Sequence, residues 1–200
     1  MTIRRRNAAL LLAAAALITA ACATARQYLA LSQVRFDIDT IREIRLAGVR
    51  LDNVRQPSDI SPYDYGRIAV AATRREMPLE MELHLAANNP ASNNTTARLA
   101  RFQWTLLLNQ HETVSGALDT VYTFAPGTPT DVRIPVRLDL ARYFSSNVSD
   151  ALDLALGLSG LSSKQTDVEL RATPTIETPL GPIQYPQPIS IRRKVGGSAP

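Results

Sequence analysis

The sequence predicts a mainly β protein: an antiparallel β-sandwich carrying two short helices and preceded by a signal helix. Three observations carry that expectation. Several segments alternate apolar and polar residues at period two, turn-forming clusters separate them, and the start of the chain has the layout of an export signal.

Residues 1–21 form that signal. Arg4, Arg5 and Arg6 make a charged start, Ala8 to Ile18 an apolar run, and Thr19-Ala20-Ala21 a small-residue cleavage region. The bases stay on the cytosolic side while the apolar run enters the membrane. With its small-residue end the run is about 14 residues, short of the roughly 20 that a permanent bilayer-spanning helix needs. Cys22 comes directly after it and is the only cysteine. The stretch Ile18-Thr19-Ala20-Ala21-Cys22 resembles the lipobox of bacterial lipoproteins, departing from it at Thr19, where Leu is commonest. The resemblance implies cleavage before Cys22, a diacylglyceryl group on its thiol, and acylation of the new amine. Several acyl chains hold far more firmly than one, because each buried CH₂ adds about 0.8 kcal/mol. Ala23 stands where, by the same resemblance, an Asp would favour inner-membrane retention, so the expected address is the outer membrane, facing the periplasm. Residues 22–33 are expected to be a tether or spacer.

A single sandwich domain is expected over 34–192. Val34, Phe36 and Ile38 alternate with Arg35, Asp37 and Asp39, and a further strand is expected over 44–51. Ser61-Pro62-Tyr63-Asp64 is a helix start, with Ser as the cap, Pro at the first position and an acid at the third. Tyr65, Ile68, Ala69 and Ala72 then recur at helical spacing to about Arg75. Leu79, Met81, Leu83 and Leu85 alternate with Glu80, Glu82, His84 and Ala86, and Phe102, Trp104, Leu106 and Leu108 share one face. A strand is expected over 113–124. Val132, Ile134, Val136, Leu138 and Leu140 alternate around Pro135, which marks an edge strand or a bulge. A second helix is expected over 147–156, stopped by Gly157. Val168, Leu170 and Ala172 make another strand, 183–192 the last, and 193–200 a flexible tail.

Composition narrows the function. The 200 residues are 45% hydrophobic and 20% charged, which is globular. The net charge of +4 misleads, because removing residues 1–21 leaves 19 bases against 18 acids. A nucleic-acid partner therefore loses its electrostatic support. One Cys and two His argue against a disulfide, a cysteine cluster or a dedicated metal site, and no cofactor is expected.

From Asn89-Pro90 onward the features come in a familiar order. Arg101-Phe102-Gln103-Trp104-Thr105-Leu106-Leu107-Leu108 is followed by Val114-Ser115-Gly116, a Pro-Gly loop, and Val132-Arg133-Ile134-Pro135-Val136. This order resembles the late embryogenesis abundant type 2 domain, also called the water-stress and hypersensitive-response domain. Ala91 stands where that pattern has a second Asn. Pro174-Thr175-Ile176 and Gly181 to Pro186 resemble the closing strands of its bacterial lipoprotein branch. The resemblance implies an immunoglobulin- or fibronectin-III-like sandwich, a link to desiccation stress, and no catalytic residues. Asn89-Pro90 is expected to close a strand end.

Chemistry elsewhere is sparse. Glu82 and His84 are same-face neighbours, which would suit a metal or acid/base role; a solvated strand face accounts for them equally well. His111 and Glu112 read as a hairpin turn, Asp37 and Asp39 as exposed, and Trp104 as a core anchor between the sheets. Neither a GxGxxG nor a GxxxxGK[ST] phosphate loop nor a GxSxG elbow occurs. The expected protein is lipid-anchored through Cys22 in the bacterial envelope and is not an enzyme. Its partners would be the membrane and envelope proteins. The alternative is a carrier for a hydrophobic or lipid-like molecule.

Overall fold

The computed structural model describes residues 2–54, 57–142, 148–160, 165–178 and 181–197. The start of the expected helix at Asn147 lies outside the described residues, as do the side chains of Arg4, Arg5 and Arg6. The long helix α1 (Thr2–Ser32) leads into β1 (Arg35–Leu46) and β2 (Val49–Arg50). Then α2 (Pro62–Thr73) precedes β3 (Pro78–Asn88), β4 (Ala97–Leu99), β5 (Arg101–Leu108), β6 (His111–Leu118), β7 (Tyr122–Phe124) and β8 (Pro129–Asp139). Finally α3 (Val148–Leu158) precedes β9 (Thr166–Thr178), β10 (Gly181–Gln184) and β11 (Ile189–Val195).

The chain is mainly β, as expected, and its sheets are antiparallel. One has the order β2-β1-β3-β8, the other β10-β9-β5-β6 with β11 also on β9, and β4 pairs with β7 apart from both. The apolar faces meet between them. Phe36 of β1 lies 6.4 Å from Phe102 of β5 and meets Phe124 of β7 edge-on at 5.6 Å. Leu79, Leu83, Leu85, Leu106, Val132, Ile134 and Leu170 are all fully buried between the sheets.

Turn chemistry explains where strands part from the expected bounds. The 44–51 segment is two strands, because Ala47 and Gly48 both take positive φ and fold β1 back onto β2. Asn109 and Gln110 do the same between β5 and β6, so His111 and Glu112 open a strand rather than forming the turn. The 113–124 and 183–192 segments are likewise each divided in two. Pro135 sits in β8, an edge strand paired only to β3, where its missing N–H faces no neighbour. Ser61 caps α2 by accepting from the Asp64 backbone N–H at 3.1 Å. Gly157 does not stop α3; the helix runs to Leu158, and Gly160 supplies the left-handed residue, with φ +79.

One terminal expectation needs correction. Residues 193–195 are not tail: Arg193 pairs with Val168 and Lys194 with Asp167, and Arg193 also donates to the Ile38 carbonyl at 2.7 Å. Residues 22–33, expected as a tether or spacer, take a definite form. They are helical almost throughout, and Ala30 and Leu31 belong to the core. No helix among the described residues is long and apolar enough to cross a membrane.

Candidate functional site

Cys22 lies in α1 with its thiol exposed. The last turns of α1 beyond it are held fast. Tyr28 stacks on Tyr185 with ring centroids 4.6 Å apart, and the Tyr185 hydroxyl donates to the Tyr28 carbonyl at 2.6 Å. Burial, with the Tyr28 hydroxyl nearby, pushes the Tyr185 phenol up to about 12, so it stays a neutral donor. Ala30 contributes its carbonyl to Asn93, whose Nδ2 donates to it at 2.9 Å.

That last bond belongs to a buried amide network. Asn89 donates from Nδ2 to the carbonyls of Thr95 at 3.1 Å and Phe124 at 2.8 Å. Its Oδ1 accepts from Asn93 Nδ2 at 2.7 Å, and its backbone carbonyl accepts from the Gly127 N–H at 2.8 Å. Pro90 takes part through its carbonyl, which accepts from the Asn93 N–H at 2.9 Å. The Asn89-Pro90 pair thus closes the end of β3, ties β7 and the 125–128 loop to it, and reaches α1 through Asn93. A buried amide with every group bonded rigidifies; with one lost it destabilises.

The sequence marked Asn89 by its Pro neighbour. It did not mark Asn93, Tyr28 or Tyr185. Tyr28 and Tyr185 are 157 residues apart, so no local pattern joins them.

His84 is the main departure from the expected solvated strand face. It is only 8% exposed, because the charged side chains around it fold over the ring. Its Nε2 meets Glu82 Oε1 at 2.9 Å, and its Nδ1 faces the Asp131 carboxylate at 3.0 and 3.1 Å. Arg133 donates from Nε to Asp131 at 2.9 Å. Register explains the gathering: on β8 Arg133 lies opposite His84, and Asp131 opposite Ala86. Thr40, paired with His84 from β1, has a buried hydroxyl without a hydrogen-bond partner. Desolvation pulls the Asp131 carboxyl up, but its bonds to Arg133 and His84 outweigh that and hold it below the ordinary aspartate value.

With Arg137 bonded to Glu80 at 2.8 Å, these residues form a charged ladder over the β3–β8 pairing. Its chemistry is that of an edge strand guarded by charge. Among the described residues no three His, Cys, Asp or Glu side chains are grouped to hold a metal ion.

Trp104 packs in the core as expected, and the reason is across the strand. A Cβ on Gly116, its β6 partner, would stand 2.5 Å from the indole ring, so glycine makes the room. Asp37 and Asp39 are exposed on β1. Two surface grooves stand out. One of about 640 Å³ runs along α2 past Tyr63, Arg67 and Val70, and one of about 580 Å³ lies beside His111, Leu140 and Leu154. Between the sheets, side chains from both of them join one buried apolar core.

No protein-family model matches the chain, and no curated protein does. Solved structures do show similarity to it. One is a protein from Archaeoglobus fulgidus, at 13% identity and TM-score 0.35, covering 61% of this chain and 87% of that one. Another is AT1g01470 from Arabidopsis thaliana, at 18% identity and TM-score 0.42, covering 61% and 72%. A third is At2g46140.1, described as a late embryogenesis abundant protein, at 14% identity and TM-score 0.43, covering 96% and 85%.

Proposed function

We propose that this is a lipid-anchored protein of the bacterial cell envelope, tethered through Cys22, whose β-sandwich has a structural or interaction role and performs no catalysis. The observation that carries the reading is the placement of Cys22. It comes after a charged, then apolar, then small-residue leader, and its thiol is exposed just ahead of the segment that docks on the domain. The motifs resembling the late embryogenesis abundant type 2 domain support a stress-related role. The His84 cluster serves as a guard for the β8 edge, since its charged atoms are spent on one another.

The test is the intact mass of the exported protein together with its partitioning. The expected chain begins at Cys22 and carries acyl groups, and Cys22→Ser moves it from the membrane fraction to the soluble one. A mature terminus elsewhere, or an unmodified Cys22, refutes the anchor.

A further inference from the structure

The segment after Cys22 alternates its exposure at helical period. Cys22, Ala25, Arg26 and Leu29 are exposed, Ala23, Thr24, Gln27 and Tyr28 half-buried, and Ala30 and Leu31 buried. Thr24 Oγ1 and Gln27 Oε1 are shut off from solvent, and the Gln27 amide donates to the Thr96 carbonyl at 3.4 Å. The docked stretch therefore begins within two residues of Cys22, and no slack remains for a flexible tether. Cys22 and Leu29 are seven residues apart, which puts them about 20° apart around the helix and about 10 Å apart along it. Arg26 lies between them on the same stripe. Leu29 is 58% exposed, a large apolar side chain turned away from the domain.

We propose that this outward stripe of α1 is a membrane-contact surface that lies flat on an anionic bilayer. This rests on the anchoring of Cys22 proposed above. Leu29 enters the boundary between headgroups and acyl chains, Arg26 meets lipid phosphates, and the domain rides on the opposite side of the helix. The anchor is then a rigid foot rather than a stalk, and it fixes which way the sandwich faces. The α2 end lies at the far end of β1. β1 begins beside α1, and its 12 residues carry the chain roughly 35 Å to the turn at Ala47, which lines the α2 groove.

The test joins the chain beginning at Cys22, through its thiol, to a maleimide lipid in phosphatidylethanolamine–phosphatidylglycerol vesicles containing lipids with nitroxide-labelled upper acyl chains. The exported protein is assayed in parallel. Tryptophan is introduced by Leu29→Trp or by Tyr63→Trp, and buried Trp104 serves as the shared background. The fluorescence added by Trp at position 29 is expected to fall about twofold, whereas that at position 63 is unchanged. Arg26→Glu should reduce the quenching at position 29 with anionic vesicles and not with phosphatidylcholine. An unquenched Trp at 29 on membrane-bound protein overturns the proposal. So does equal quenching at 63, or self-association through the stripe in place of lipid contact. An unacylated Cys22 in the exported protein, with quenching intact in the coupled arm, removes the anchor reading and leaves the contact surface standing.

Discussion

Asn93 donates to the side-chain oxygen of Asn89 at 2.7 Å, both amides are buried, and the other bonds of Asn93 and Asn89 join the end of α1 to β7. Asn89→Ala leaves the carbonyls of Thr95 and Phe124 without their donor. Stability should fall by about 2–4 kcal/mol, read from the urea midpoint. Asn89→Asp should cost a similar amount, since a carboxylate cannot donate; a variant as stable as the parent would show the network to be incidental.

Gly116 and Trp104 should be coupled. Gly116→Ala forces the indole to move and should destabilise by about 1–3 kcal/mol. In a Trp104→Phe background the second ring is gone, and the same substitution should cost less by about 1 kcal/mol. Equal costs in both backgrounds would contradict this account.

Glu169 is buried on β9, bonded to Arg171 at 2.9 Å, Arg192 at 3.0 Å and Ser190 at 3.1 Å. Desolvation pulls its carboxyl up, but the bonds to Arg192, Arg171 and Ser190 outweigh that and hold it below the ordinary glutamate value. A depressed folded value means Glu169 stabilises the fold above the ordinary glutamate range, and that contribution is lost as pH falls through the folded value. Glu169→Gln should therefore lower the urea midpoint at neutral pH, with the gap closing as pH falls below the ordinary glutamate range. A gap that stays constant would place the acid limb elsewhere.

Tyr185 reports on the α1 dock. Its folded value of about 12 exceeds the ordinary 10.0, so its stabilisation is whole below pH 10 and is lost as pH rises toward 12. Protection of the 27–32 amides, taken against the intrinsic exchange rate at each pH, should fall over that interval before that of the sheets. Tyr185→Phe should keep the ring stack, lose the bond to Tyr28, and cost about 1 kcal/mol. Protection that is indifferent to pH and to this substitution would mean that the helix is held by other contacts.

His84→Ala removes the ring from between Glu82 and Asp131 and should destabilise by about 1–3 kcal/mol. Adding Asp131→Asn should recover part of the loss by removing one of the two facing charges. No recovery would show that packing of the ring, not charge, is what matters.

The strands at Phe36, Leu83, Trp104 and Ile134 were legible because an apolar side chain on every second residue leaves a sheet one buried face. The α2 start was legible because a Ser cap and a first-turn Pro answer to the local backbone alone. The ends of strands were less so. Ala47, Asn109 and Gln110 take positive φ against ordinary preference, since pairing on both sides of the turn outweighs their small local cost.

Within the candidate site, Cys22 and Asn89 were visible through short local patterns, one after the apolar N-terminal run and one beside a proline. The burial of His84 was not, because a polar face reads as solvated until register sets Asp131 and Arg133 beside the ring. Nor was the docking of α1, which depends on Tyr185 and Asn93, far along the chain. Sequence by itself determined the class of fold and the lone thiol, which arise from spacing and composition within a few residues. Only the tertiary structure decided what those residues face, because hydrogen bonds and ring contacts between distant segments exist only once the chain has closed on itself.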